Sequence, residues 1–162
     1  MARWKHRTIF LLLLMVAVCG PARAQGSKNI IVRILDSKTG RPLVATGFMV
    51  RIDHQSVVHG DWVKQNEDGS AVLTVPDFAS SVSIKASYEN SMEVYINCDA
   101  EKQRDVPGDL WYAVSDIISK GIVAPNGCGK PKDVAKMAVP VAEPGKIVLF
   151  VRQKSWREQS MD

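Results

Sequence analysis

Outside the first 24 residues the chain has two histidines, His54 and His59, with Asp53 and Asp61 close by. Imidazoles joined by carboxylates form a donor set for zinc or iron. A metal-bound water there would make a hydrolase, and an iron centre an oxygenase. Tyr88, Tyr95 and Tyr112 could add phenolate ligands to iron. The spacing completes no ligand set, however, and histidines on a strand-loop-strand segment are ordinarily solvent-facing loop residues. A metal-dependent hydrolase or oxygenase using His54 and His59 is therefore the alternative reading, and no cofactor is expected.

Other catalytic patterns fall short. No G-x-S-x-G nucleophile elbow is present. Gly127-Cys128-Gly129-Lys130 lacks both the upstream glycine and the following Ser or Thr of a phosphate loop. Asp36 and Asp68 lie in turn sequences, where carboxylates bond nearby backbone N–H groups. A catalytic acid–base pair would also need a cleft between them. The chain thus reads as a non-enzyme. Its candidate binding surface is aromatic: Trp111 and Tyr112 together, and Trp156 in a charged tail. Trp111 and Tyr112 could equally cap a core, because aromatic rings bury large areas. Trp156 is the better candidate for exposure.

The first 24 residues read as a signal peptide. Arg3, Lys5 and Arg7 precede the apolar run from Ile9 to Cys19, which is too short to span a bilayer; Ala22-Arg23-Ala24 supplies an A-x-A-like cleavage site. Val16-Ala17-Val18-Cys19 loosely resembles a lipoprotein box, with Val18 where a small residue usually stands, so a lipid anchor at Cys19 is the competing form. The mature chain would run from Gln25 to Asp162 with no transmembrane segment, in the periplasm or outside the cell. The whole chain carries 21 basic and 17 acidic residues, net +4. Four of the basic residues, Arg3, Lys5, Arg7 and Arg23, and no acid, lie in the leader. That leaves 17 against 17, so nothing favours nucleic acid as a partner. Cys98 and Cys128, two thiols in an oxidising compartment, are expected to form a disulfide.

The elements that would position these residues are strands. Ile30, Val32 and Ile34 alternate with Ile31, Arg33 and Leu35, and Phe48, Val50 and Ile52 with Met49, Arg51 and Asp53. Further strands are expected over 57–63, 71–75, 81–87, 92–97 and 147–151, with a hairpin signal at Asn66-Glu67-Asp68-Gly69. Such spacing predicts an all-β, antiparallel sandwich of about seven strands. Val114, Ile117 and Ile118 have helical spacing and Gly121 stands at a C-cap position, so one short helix is expected over 113–120. Residues 125–133 read as loop.

Ile31-Val32-Arg33-Ile34-Leu35-Asp36-Ser37-Lys38-Thr39-Gly40-Arg41-Pro42-Leu43, followed by Asn66-Glu67-Asp68-Gly69-Ser70 and Leu73-Thr74-Val75-Pro76, resembles the carboxypeptidase regulatory-like domains. The resemblance covers residues 29–87 and implies a transthyretin-like (Ig-like) β-sandwich. Ala71-Val72 replaces the usual aromatic after the Asp-Gly turn. Residues 98–144 have no counterpart in the minimal domain and form an insertion. The expected organisation is a leader over 1–24, the sandwich over 25–154 and a tail over 155–162. Members are mostly non-catalytic accessory modules. The resemblance therefore implies a secreted binding or scaffolding module at the bacterial cell envelope, with a protein or glycan partner and no active-site residues carried over.

Overall fold

The structure is a computed structural model that describes residues 26–43, 47–54, 65–87, 95–99 and 110–161. The leader expected over 1–24 with Cys19, the strand expected over 57–63, and His59, Asp61, Tyr88, Met92 and Val94 lie outside the described residues.

Period-two burial builds the first strand. β1 (Ser27–Asp36) buries Ile30, Val32 and Ile34 completely, while Asn29 and Ile31 face the other way. It pairs antiparallel with β3 (Ser70–Pro76) and parallel with β8 (Lys146–Gln153). The far edge of β8 is shared by β5 (Tyr95–Asn97), antiparallel, and β7 (Ile122–Val123), parallel. These five strands form one sheet. A second sheet, antiparallel throughout, has the order β2 (Gly47–Ile52), β4 (Ser81–Ser87), β6 (Tyr112–Ala113).

The chain is thus mainly β in two sheets, but the expectation of a purely antiparallel sandwich is corrected: the five-stranded sheet is mixed. Side-chain alternation fixes which face a residue takes and is silent on the direction of the neighbouring strand. The segment expected as a helical insertion is more than helical. It contributes β6 to one sheet and β7 to the other, and the expected loop holds a helical turn, α2 (Pro131–Val134).

Between the sheets lies the main core: Ile30, Val32 and Ile34 of β1, Val50 and Ile52 of β2, Leu73 and Val75 of β3, Val82 and Ile84 of β4, and Ile147, Leu149 and Val151 of β8. A second cluster covers the outer face of the mixed sheet. Leu35, Val148, Phe150 and Cys98 are buried there beneath Val123, Cys128 and Met137. This explains the unbroken apolar run Ile147-Val148-Leu149-Phe150-Val151: β8 is a central strand buried on both faces.

The helix, α1 (Val114–Lys120), buries Val114 and Ile117 in the main core and leaves Ile118 exposed. Gly121 ends it at φ 75° and ψ 163°, with its N–H on the Asp116 and Ile117 carbonyls. That backbone conformation is essentially confined to glycine.

Candidate functional site

In the antiparallel sheet Arg51 pairs with Ser83, and Val82 pairs with Tyr112. Opposed residues share a face. Val82 and Tyr112 therefore turn inward, and Tyr112 packs against the main core. Trp111, one residue earlier, belongs to the outer face with Arg51 and Ser83. The aromatic pair is thus divided between the two faces, and only Trp111 remains available as surface.

A turn after β2 completes the cluster. Asp53 and His54 have φ of 49° and 58°, a left-handed conformation that costs a non-glycine residue about 1–2 kcal/mol. The Asp53 carboxylate offsets this by accepting from the Ser80 hydroxyl at 2.6 Å, the Ser80 N–H at 2.9 Å and the Ser81 N–H at 2.8 Å. Its own N–H donates to the Ser81 carbonyl. The Ser80 hydroxyl, and next the Ser81 N–H, hold the Asp53 carboxyl below its usual range. Clamped this way, the turn delivers His54 onto Trp111, with ring centroids 4.0 Å apart and planes 31° apart. The Arg51 guanidinium carbon lies 6.0 Å from the Trp111 ring centroid, within cation–π range. The result is a half-buried indole flanked by an imidazole and a guanidinium. Such a group offers a flat apolar surface for stacking, with donors at its margin.

Tyr112 is different. Among the described residues its buried hydroxyl has no hydrogen-bond partner. Burial, and secondly the charge of Asp99, push its pKa up to about 12.

The other expected residues lie elsewhere. Cys98 and Cys128 are bonded as a disulfide, and the Gly127 N–H donates to the Cys98 carbonyl beside it. Asn126 reaches from the same loop to the Ser37 carbonyl at 2.7 Å. The bridge therefore pins the loop carrying Cys128 to the end of β5. Trp156 opens α3 (Trp156–Gln159), which has a capping box between Ser155 and Glu158. Arg152 of β8 holds Glu158 at 2.7 and 2.8 Å and keeps its carboxyl well below the usual range. This docks α3 against the mixed sheet and leaves Trp156 outward, 80% exposed. The candidate surface of Trp111, Tyr112 and Trp156 is thus three separate environments.

Among the described residues no three His, Cys, Asp or Glu side chains converge as metal ligands. His54 is stacked, and Asp53 is engaged with Ser80 and Ser81. Arg51 and the Ser80-Ser81 clamp were not among the expected site residues. Their only sequence signal is the place of Arg51 on the polar side of the β2 alternation. Also among the described residues, no helix is long and apolar enough to cross a membrane. Compared with known protein families and with characterised proteins, the chain matches no family model and no curated relative.

Proposed function

We propose that this protein is an exported, non-catalytic binding module of the bacterial cell envelope, a carboxypeptidase regulatory-like domain of the transthyretin-like sandwich class. It engages a glycan or protein partner through Trp111. The observation that carries this reading is the indole itself, set on the outer face of the antiparallel sheet beside His54 and Arg51. Export is supported by the leader pattern and by the Cys98–Cys128 disulfide, a bond that persists in oxidising compartments.

The two turns that carry the family resemblance support it as well. Asp36 Oδ1 accepts from the N–H groups of Lys38 and Thr39, and Gly40 takes φ 68°. Gly69 takes φ 74°, and a Cβ there would meet Pro42, so the two turns pack on each other. Gln65 adds a bond to the Leu43 carbonyl at 3.0 Å.

The test is a titration with soluble peptidoglycan fragments and with envelope extracts, followed by NMR and by tryptophan fluorescence. Trp111→Ala is expected to weaken binding at least about fivefold, since stacking on an aromatic contributes on the order of 1 kcal/mol or more. Trp156→Ala is expected to leave it unchanged. Equal binding by both variants would remove Trp111 from the site. A stoichiometric metal in the purified protein, lost in His54→Ala, would put the hydrolase or oxygenase reading in its place.

A further inference from the structure

Asn126 is one of five asparagines in the chain and the one that glycine follows. That dipeptide holds both partners of an intramolecular reaction. The Gly127 nitrogen can attack the Asn126 side-chain carbon Cγ, and a glycine has no Cβ to hinder the approach. Gly127 is also exposed, so solvent reaches it.

The fold opposes this reaction at each reacting atom. The Gly127 N–H, whose nitrogen is the nucleophile, donates to the Cys98 carbonyl. Asn126 Nδ2, the leaving group, donates to the Ser37 carbonyl at 2.7 Å, and Asn126 Oδ1 accepts from the Gly129 N–H at 3.2 Å. The two anchors are themselves fixed. Cys98 and Ser37 are both buried, and their N–H groups donate to the Phe150 and Val151 carbonyls of β8 at 3.1 and 2.8 Å. The Cys98–Cys128 bond closes the loop at the same point. There is no slack beyond it, because a side chain at Gly129 would meet Val134 of α2 and the Ser37 carbonyl. Asn126 is thus the tie between this loop and the end of β1.

We infer that Asn126 is a deamidation site gated by this loop: closed, the loop keeps the amide unreactive, and once it opens the amide converts and the loop cannot close as before. In the open loop, solvent base takes the Gly127 amide proton and the nitrogen attacks Asn126 Cγ. The N–Cγ bond forms and the Cγ–Nδ2 bond breaks. Nδ2 leaves as ammonia, with a proton returned from water. Water then opens the cyclic imide at either carbonyl. Cleavage of the new N–Cγ bond gives aspartate. Cleavage of the original peptide bond gives isoaspartate, with the main chain running through Cγ. The sum is one amide and one water converted to a carboxylate and an ammonium ion, with nothing oxidised or reduced. Either product leaves residue 126 a carboxylate, which has no proton for the buried Ser37 carbonyl. Two acceptors then face each other where a hydrogen bond stood, and isoaspartate also lengthens the main chain beside Gly127. Opening is thereby made permanent.

The experiment follows the disulfide-bonded protein at a mildly alkaline pH by peptide mass mapping. Conversion reads as a gain of about 1 Da, NH3 lost and H2O gained, in the peptide that holds Asn126. The same oxidised chain in urea is expected to convert at least about tenfold faster than the folded protein, since the reaction runs from the open fraction. Cys98→Ala/Cys128→Ala, folded but without the covalent anchor, opens more often and is expected to convert at least about tenfold faster than the folded wild type. Asn126→Asp carries the product's carboxylate from the outset. It is expected to speed hydrogen exchange of the Gly127 amide at least about tenfold, while unchanged exchange in β1 and β8 verifies its fold. Equal rates in the folded protein and in urea overturn the gate, as does a wild-type rate in the double-alanine variant. No conversion at Asn126 in urea overturns the site. Wild-type exchange at Gly127 in Asn126→Asp overturns the permanence of the opening.

Discussion

Removing the disulfide should destabilise the protein almost entirely through its unfolded state. Cys98 and Cys128 are 30 residues apart in sequence. The loop they close contains β6, α1 and β7, and each is held by contacts of its own. β6 pairs with β4, β7 pairs with β8, and Val114 and Ile117 sit in the main core. The reduced native protein therefore keeps its shape, while the reduced unfolded chain gains freedom. Chain-entropy theory puts the closure of 30 residues at about 12 cal/mol/K, or about 3.6 kcal/mol at 25 °C. That changes the folded-to-unfolded ratio several hundred-fold. Replacing the buried Cys98 by Ala adds a small cavity cost of about 1 kcal/mol at most. Urea unfolding of the oxidised wild type against Cys98→Ala/Cys128→Ala is expected to show a loss of about 3–5 kcal/mol. The m-value should be larger in the variant, because the uncrosslinked unfolded chain exposes more surface. A loss under about 1 kcal/mol with an unchanged m-value would refute the reasoning. Disappearance of α1 in the variant would show instead that the bond holds the native structure together.

Gly121→Ala forces a side chain into φ 75° and into the backbone of Glu143, whereas Gly145, at φ 77°, has nothing within 4 Å of its Cβ position. Denaturation should show Gly121→Ala costing more than about 3 kcal/mol and Gly145→Ala about 1–2 kcal/mol. Tyr112→Phe removes a buried hydroxyl that has no partner among the described residues and is expected to stabilise the protein by about 1 kcal/mol at pH 7. In the wild type the unfolded chain loses the Tyr112 proton near pH 10, while the folded protein holds it to about 12. The unfolded state thus binds fewer protons in that window, and stability falls as pH rises from 10 to 12, by at most about 3 kcal/mol; Tyr112→Phe should abolish this fall. Asp53 runs the other way. Its contribution is complete above its ordinary value of 3.8 and is lost as pH falls through the lowered one, so Asp53→Asn should be less sensitive to acid and should separate His54 from Trp111, read as a change in indole fluorescence.

What the sequence determined by itself is local. The alternation of Ile30, Val32 and Ile34 put these three on one face of β1, because a strand has period two whatever lies beside it. Asp36, Gly40, Asp68 and Gly69 placed the turns through side-chain capping and positive φ, properties that act over a few residues. The helix bounds and its Gly121 cap followed from spacing and backbone freedom. The disulfide was legible because only two cysteines follow the first 24 residues. Only the tertiary structure decided the parallel pairing of β1 with β8, the two-residue strands β6 and β7, and the second cluster that buries the other face of β8. Trp111 and Tyr112 are adjacent in sequence, yet one reaches the surface and the other the core, because an antiparallel neighbour assigned them opposite faces. His54 meets Trp111 across a long stretch of chain through a turn that Asp53 holds by bonding Ser80 and Ser81. Such contacts depend on strand register and on loop closure, and neither leaves a periodic trace in the residues that make them.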